Sequence, residues 1–295
     1  VSGGEEGLRA WELSAGTSRE SRPFGEGAVT LATHPQGRLL AAGTMTGTVR
    51  LLDAASGQVL QELAGVAGSV RALAFSPDGA LLAAGGDDDI LLWAMPTGAM
   101  VGRLQGHSGK VWSLAFSPTG HRLASGGADK TLRLWDVARR QQVLQRNRGG
   151  TVRALVFTPS GEQLVSAGMK QPLQLWAAEE LRPLQELEEH PVGVLALDLS
   201  RDGAFLASSG LDLTVKVWSL PSGELLGRLR GHQGVVTALT FSPGMTSLAW
   251  AGADRTIRRV LLENLARPSP AGKDLSEISR RYGLSWDARH GLLHR

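Results

Sequence analysis

Cysteine is absent from the 295 residues, which excludes disulfides, thiolate metal sites and a cysteine nucleophile. Tyrosine occurs once and aromatic residues make up only 5%, yet tryptophan occurs eight times, so the indoles need a local reason rather than a general one. Lysine is scarce as well, supplying only positions 110, 130, 170, 216 and 273 of the 31 basic residues. No apolar run approaches the roughly 20 residues that cross a bilayer as a helix, so the reading is a chain without membrane contact. Neither a secretory leader nor an initiating Met precedes Val1, and the chain reads as truncated at its N-terminus and cytoplasmic. Also missing are a Gly-rich phosphate loop ending in Lys-Ser/Thr, a Gly-x-Ser-x-Gly elbow and a His-Glu-x-x-His metal helix.

What is present is glycine, 38 residues of it, and a repeat. The stretch from His107 to Asp136 reads as three strands: Val111 to Phe116, Leu123 to Gly126 and Thr131 to Trp135, separated by the turns Ser117-Pro118-Thr119-Gly120 and Ala128-Asp129-Lys130. The first of these turns recurs as HPQG (34–37), SPDG (76–79), SPTG (117–120), TPSG (158–161), SRDG (200–203) and SPGM (242–245), in steps of 42, 41, 41, 42 and 42 residues. One such unit cannot bury both of its faces and needs copies of itself. A period of roughly 40–45 residues with four short strands per unit predicts a β-propeller. No helical periodicity stands between the strands, which excludes α/β folds and helical solenoids.

These residues resemble the WD-repeat family. The unit at 107–136 carries the marks, with Gly106-His107 before its first strand and Trp135-Asp136 closing its third. The resemblance spans residues 1–265. Ser2 to Trp11 aligns with Gly126 to Trp135, so the expected architecture is an all-β seven-bladed propeller whose first blade is incomplete. A Pro-containing linker and short basic tail follow at 266–295. There Asp274 and Glu277 form a capping-box pattern that predicts a helix over 274–282. In the family, His, Ser/Thr, Asp and Trp of one blade form a hydrogen-bonded chain. The resemblance gives two complete sets here: His107, Ser125, Asp129, Trp135 and His190, Ser208, Asp212, Trp218. Ala84, the Arg148 and Lys170 pair, and the Trp250 and Val260 pair interrupt the others, and the unit after Gly25 keeps none, with Ala42, Thr46 and Leu52. Those blades are expected to open more easily.

Catalysis finds little support. His290 and His294 have metal-ligand spacing without a third ligand, and no cofactor or metal is expected. The triple acid Asp87-Asp88-Asp89 reads as a solvated turn or a contact for a basic partner group. WD-repeat proteins commonly bind peptides on the face bearing these turns, and the residue after the Val that opens each first strand lies on that rim: Thr30, Arg71, Trp112, Arg153, Leu195 and Val236. Arg71, Trp112 and Arg153, with Lys110 beside them and Asp87 and Asp88 near, suit a protein or peptide partner, an acidic segment among them.

The expected role is a non-catalytic protein-interaction scaffold, a monomeric propeller forming the C-terminal module of a larger signalling protein. The Arg-over-Lys bias suits a bacterial genome. Two alternatives stand beside it. One is an enzyme using the central channel, which the apolar residues expected there (Val70, Leu73, Ala74; Val111, Leu114, Ala115; Val152, Leu155, Val156) disfavour. The other is nucleic-acid binding through the tail. The net charge is +3, but residues 255–295 hold nine Lys/Arg against four acids, a larger surplus than that of the whole chain.

Overall fold

In the computed structural model, residues 27–187, 190–220 and 222–262 are described in full, and the backbone of six short terminal strands is described besides. The chain divides into two compact units, Val1–Val152 and Arg153–Arg295. The first holds three antiparallel four-stranded sheets. Blade 1 is Ala28–Thr33, Leu39–Thr44, Val49–Asp53 and Val59–Leu63. Blade 2 is Ala72–Phe75, Leu81–Gly85, Ile90–Ala94 and Ala99–Leu104, and blade 3 is Val111–Phe116, Arg122–Gly127, Thr131–Asp136 and Gln141–Asn147. The unit boundary falls at the start of blade 4, which comprises Val152–Phe157, Gln163–Gly168, Gln171–Ala177 and Arg182–Leu187. Blade 5 is Val194–Leu199, Phe205–Gly210, Val215–Ser219 and Glu224–Leu229, and the three-stranded blade 6 is Val236–Phe241, Ser247–Gly252 and Ile257–Leu261.

Side chains alternate across a strand, and here both faces find a neighbour. In blade 2, Leu82, Ala84, Leu91 and Trp93 pack with Val49, Leu51 and Leu63 of blade 1. Ala83, Ile90 and Leu92, interleaved with them, pack with Val111, Leu123 and Trp135 of blade 3. Unit 2 repeats the pattern: Leu206 and Trp218 of blade 5 pack with Val165 and Leu175 of blade 4, while Ala207, Val215 and Val217 pack with Val236 and Leu248 of blade 6. The second and third strands are therefore buried almost without interruption, and the fourth strands carry exposed side chains such as Leu60, Met100 and Val143. Backbone bonds join blades as well. Val70 N–H donates to Thr44 C=O at 2.9 Å and Val111 N–H to Gly86 C=O at 2.8 Å. Glycine permits the approach: a Cβ on Gly85 would lie 2.7 Å from Val111 Cγ1.

The architecture corrects the expected one in two respects. Among the described residues there are six blades, not seven: the N-terminal segment makes two separate two-stranded sheets, Ser2–Gly4 with Gly7–Arg9 and Trp11–Glu12 with Thr17–Ser18. Pairings of two or three residues are too short to make a blade, and isolated two-stranded sheets are marginal. The expected helical extension also finds no support, because no α-helix occurs among the described residues and 274–282 lies outside them. The C-terminal elements described are the paired strands Ser285–Asp287 and Leu292–His294. The boundary read at 265 also lies outside the described residues.

Two turns depart from the repeat. In SPGM the left-handed residue is Met245 (φ 53°), at the place where Gly37, Gly79, Gly120, Gly161 and Gly203 stand in the other blades. Blade 2 has lost a residue from its second turn. Gly85 pairs with Ile90, five positions on, whereas Gly43 pairs with Val49 and Gly126 with Leu132, six positions on. The missing position is the left-handed one, held by Gly47, Lys130, Leu213 and Arg255 in blades 1, 3, 5 and 6.

Candidate functional site

The first strands of blades 1, 3, 5 and 6 begin with a β-bulge, which re-aims one side chain away from the ladder. In blade 3, Val111 pairs with Gly127 and Ser113 with Gly126, leaving Trp112 as the extra residue. In blade 2, Arg71 occupies the same place, its N–H on Gly85 C=O at 2.9 Å. The register moves two of the rim positions read from the sequence. The bulged residue is Val29 rather than Thr30 in blade 1 and Thr237 rather than Val236 in blade 6, where Val236 is itself the buried opening residue. In blade 5 it is Leu195, as expected.

Arg71, just ahead of its strand, and Trp112, at its bulge, come together. The guanidinium carbon lies 4.6 Å from the centroid of the indole, a cation–π stack. Both side chains are half-buried, and Arg71 Nε is buried with no hydrogen-bond partner. Lys110 stands exposed two residues before Trp112. Arg153 is half-buried and opens the second unit. In the acidic turn, Asp89 is held by Arg103, Nε to Oδ2 at 2.5 Å. Asp88 is exposed, and Asp87 is half-buried with its carboxylate packed over Gly68. Asp88 has no His to meet, and the shortened turn puts it out of step with Asp129. Among the described residues no group of three or more His, Asp or Glu is placed to hold a metal ion.

Beneath this face lies a polar relay. In blade 3, Trp135 Nε1–H donates to Ser125 Oγ at 2.8 Å, Ser125 Oγ lies 2.7 Å from His107 Nε2, and His107 Nδ1 lies 2.9 Å from Asp129 Oδ2. One assignment satisfies every group: Ser125 O–H donates to Nε2, and a neutral His107 donates from Nδ1 to the carboxylate. An imidazolium would strand the Ser125 hydrogen. Burial, opposed by Asp129, accordingly pushes the His107 pKa down. Burial works against the Asp129 carboxylate, but His107 and the Thr131 N–H and O–H outweigh it and lower its pKa. Gly127 leaves the room this pair needs, since a Cβ there would lie 2.7 Å from His107 Nδ1. Blade 5 repeats the relay, with Trp218 to Ser208 at 3.2 Å, Ser208 to His190 at 2.8 Å and His190 to Asp212 at 2.9 Å.

The other blades keep fragments. Blade 4 retains Trp176 N–H to Ser166 at 2.8 Å. Blade 6 retains His232 to Asp254 at 2.8 Å, but Trp250 stands where Ser would, and His232 Nε2 is buried with no partner. Burial depresses the His232 pKa, and Asp254, despite its own burial, is held down to about 2 by Thr256, Gln233 N–H and His232. The threonines are partners the sequence reading missed. Their signal is an Asp-x-Thr in three blades, with Thr131, Thr214 and Thr256 hydroxyls donating to the Asp two residues before at 2.8, 2.8 and 2.7 Å.

The family model for the WD domain, G-beta repeat, matches residues 57–94, 98–136, 181–219 and 223–258, just over half of the chain. Each match spans the fourth strand of one blade and the first three of the next, and the matches omit the repeats ending in blades 1 and 4. Blade 1 keeps none of the relay residues, and blade 4 has lost its His and Asp. No curated protein matches the chain. With six blades of this construction, two full His–Ser–Asp–Trp relays and four matched repeats, the chain belongs to the WD40 repeat family, whose fold is the β-propeller.

Proposed function

We propose that the protein is a cytoplasmic, non-catalytic interaction platform, the partner-binding module of a larger signalling protein, and that it takes a protein or peptide on the face of the first unit bearing Arg71, Lys110 and Trp112. The Arg71–Trp112 stack carries this reading. The bulge of blade 3 and the residue leading into the first strand of blade 2 set an indole against a guanidinium, half-exposed, with Lys110 alongside. Neither side chain is needed to fill the cores between blades, which are made of aliphatic residues and the relay indoles. Indole and guanidinium groups are the side chains that most often dominate binding energy at protein interfaces. The two local cations, Arg71 and Lys110, favour carboxylates or phosphate on the partner.

The test compares affinity capture from host lysate by the wild type and by Arg71→Ala/Trp112→Ala, with thermal unfolding as a control. The double variant is expected to unfold within a few degrees of wild type and to lose its captured proteins, with affinity down about 30-fold, as for a hot spot of roughly 2 kcal/mol. An unchanged set of captured proteins at unchanged affinity would sink the reading.

A further inference from the structure

The charges on this face of the first unit are not scattered but sorted. At one side lies the shortened turn of blade 2. Asp89 is neutralised there by Arg103, whereas Asp87 and Asp88 have no ion pair among the described residues. The backbone steps directly from this turn to the bulge of blade 3, since Gly86 C=O accepts the Val111 N–H at 2.8 Å, and Trp112 follows with Arg71 stacked on it. Next comes Lys110, whose C=O accepts the Ala128 N–H at 2.8 Å and so fixes it beside the turn that carries Lys130. Lys130 C=O in turn accepts the Arg148 N–H at 2.8 Å. Lys110 and Lys130 are exposed and have no ion pair among the described residues. The one acid among them, Asp129, is turned inward with a side chain only 4% exposed and is consumed by the His107 relay. The face therefore runs from two free carboxylates, across a cation–π stack, to a row of cations.

Resting on the interaction role proposed above, we infer that this face selects an extended peptide segment of mixed charge and fixes its direction: a basic residue meets Asp87 and Asp88, an apolar or aromatic residue meets Trp112, and acidic residues meet Lys110 and Lys130. A uniformly acidic segment would bring a carboxylate against Asp87 and Asp88, and a uniformly basic one would bring a cation against the lysines. Like-charge contact at either end rejects the wrong partner and the reversed orientation.

A displayed library of random dodecapeptides, selected on the full chain, tests this. The charged pairs chosen for substitution lie outside the cores and outside the relay. Selected peptides are expected to share a base and at least two acids in one fixed order. Their affinity is expected to fall about ten-fold on Asp87→Asn/Asp88→Asn and at least as much on Lys110→Ala/Lys130→Ala, and to weaken with salt. A selected consensus of a single sign, or one unaffected by Asp87→Asn/Asp88→Asn, overturns the polarity while leaving the interaction role standing. Peptides indifferent to Arg71→Ala/Trp112→Ala as well, or no enrichment over a blank surface, overturn both.

Discussion

At the scale of single residues, the polar relay explains why small hydroxyls sit in an otherwise apolar interior. Ser125 is fully buried and serves two groups at once, accepting from Trp135 and donating to His107, whereas Ser166 serves only Trp176. Ser125→Ala should therefore destabilise by about 2–4 kcal/mol and Ser166→Ala by about half that, because each buried group left unpaired costs roughly 1–3 kcal/mol. Urea unfolding of the two variants measures the difference, and equal losses would deny the relay any energetic role. Protonation adds a second prediction. The pKa values of His107 and His232 are depressed below the 6.5 of an ordinary histidine, so the folded state binds fewer protons than the unfolded chain just below that pH, and stability must fall as pH drops through 6.5. Asp129 and Asp254, depressed below 3.8, add a further loss below that value. Asp198 works the other way. Burial raises its pKa against the pull of the Phe241 and Leu199 N–H groups, so its contribution is greatest in acid and declines as pH rises. With a single opposing group, urea midpoints should drop between pH 7 and 5, and His107→Gln should flatten that drop. The four-part relay could be matched to residues in the sequence because it rests on the WD-repeat resemblance. Its fifth member, the threonine, was missed because Asp-x-Thr also reads as an ordinary turn.

At the scale of the strand and blade, most of the fold was legible. The six turns spaced by 41 or 42 residues locate the junctions between first and second strands, and Val111–Phe116 is both the expected and the observed first strand of blade 3. Register was less legible. A bulge adds one residue without changing composition, so Val29 and Thr237 could not be told from their neighbours Thr30 and Val236 until their pairing was seen. The one-residue deletion in blade 2 is likewise invisible to a count of turns, yet it sets Asp87 and Asp88 apart from the His-bound acids. Blades with the full relay should also be the most resistant to local opening. In native-state hydrogen exchange, the amides of Leu123–Gly126 and Leu206–Ser209 should exchange more slowly than Leu40–Gly43 of blade 1, by about ten-fold or more. Faster exchange in blades 3 and 5 than in blade 1 would contradict the link between relay and rigidity.

At the scale of the molecule, the expectation failed where local signals had to stand in for packing. Ser2 to Trp11 aligns with a good blade in residue type, but the described strands there pair only two by two. The helix expected from the capping box at Asp274 and Glu277 lies outside the described residues. What holds within each unit is that every blade covers its neighbour, as the interleaved contacts of Leu82 and Ala83 on opposite faces show. In the proposed role, the scaffold holds the starts of two neighbouring first strands so that Arg71 and Trp112 are presented together. Mutual cover is tested most directly by loosening one blade and watching another. Val111 is wholly buried and packs against Ala83 and Ile90 of blade 2, so Val111→Ala should cost roughly 2 kcal/mol. Hydrogen exchange on that variant should quicken in Leu81–Gly85 and Ile90–Ala94 of blade 2 as much as in blade 3. If the acceleration stays within residues 111–147 and blade 2 keeps its wild-type protection, the blades stand independently and the account is wrong.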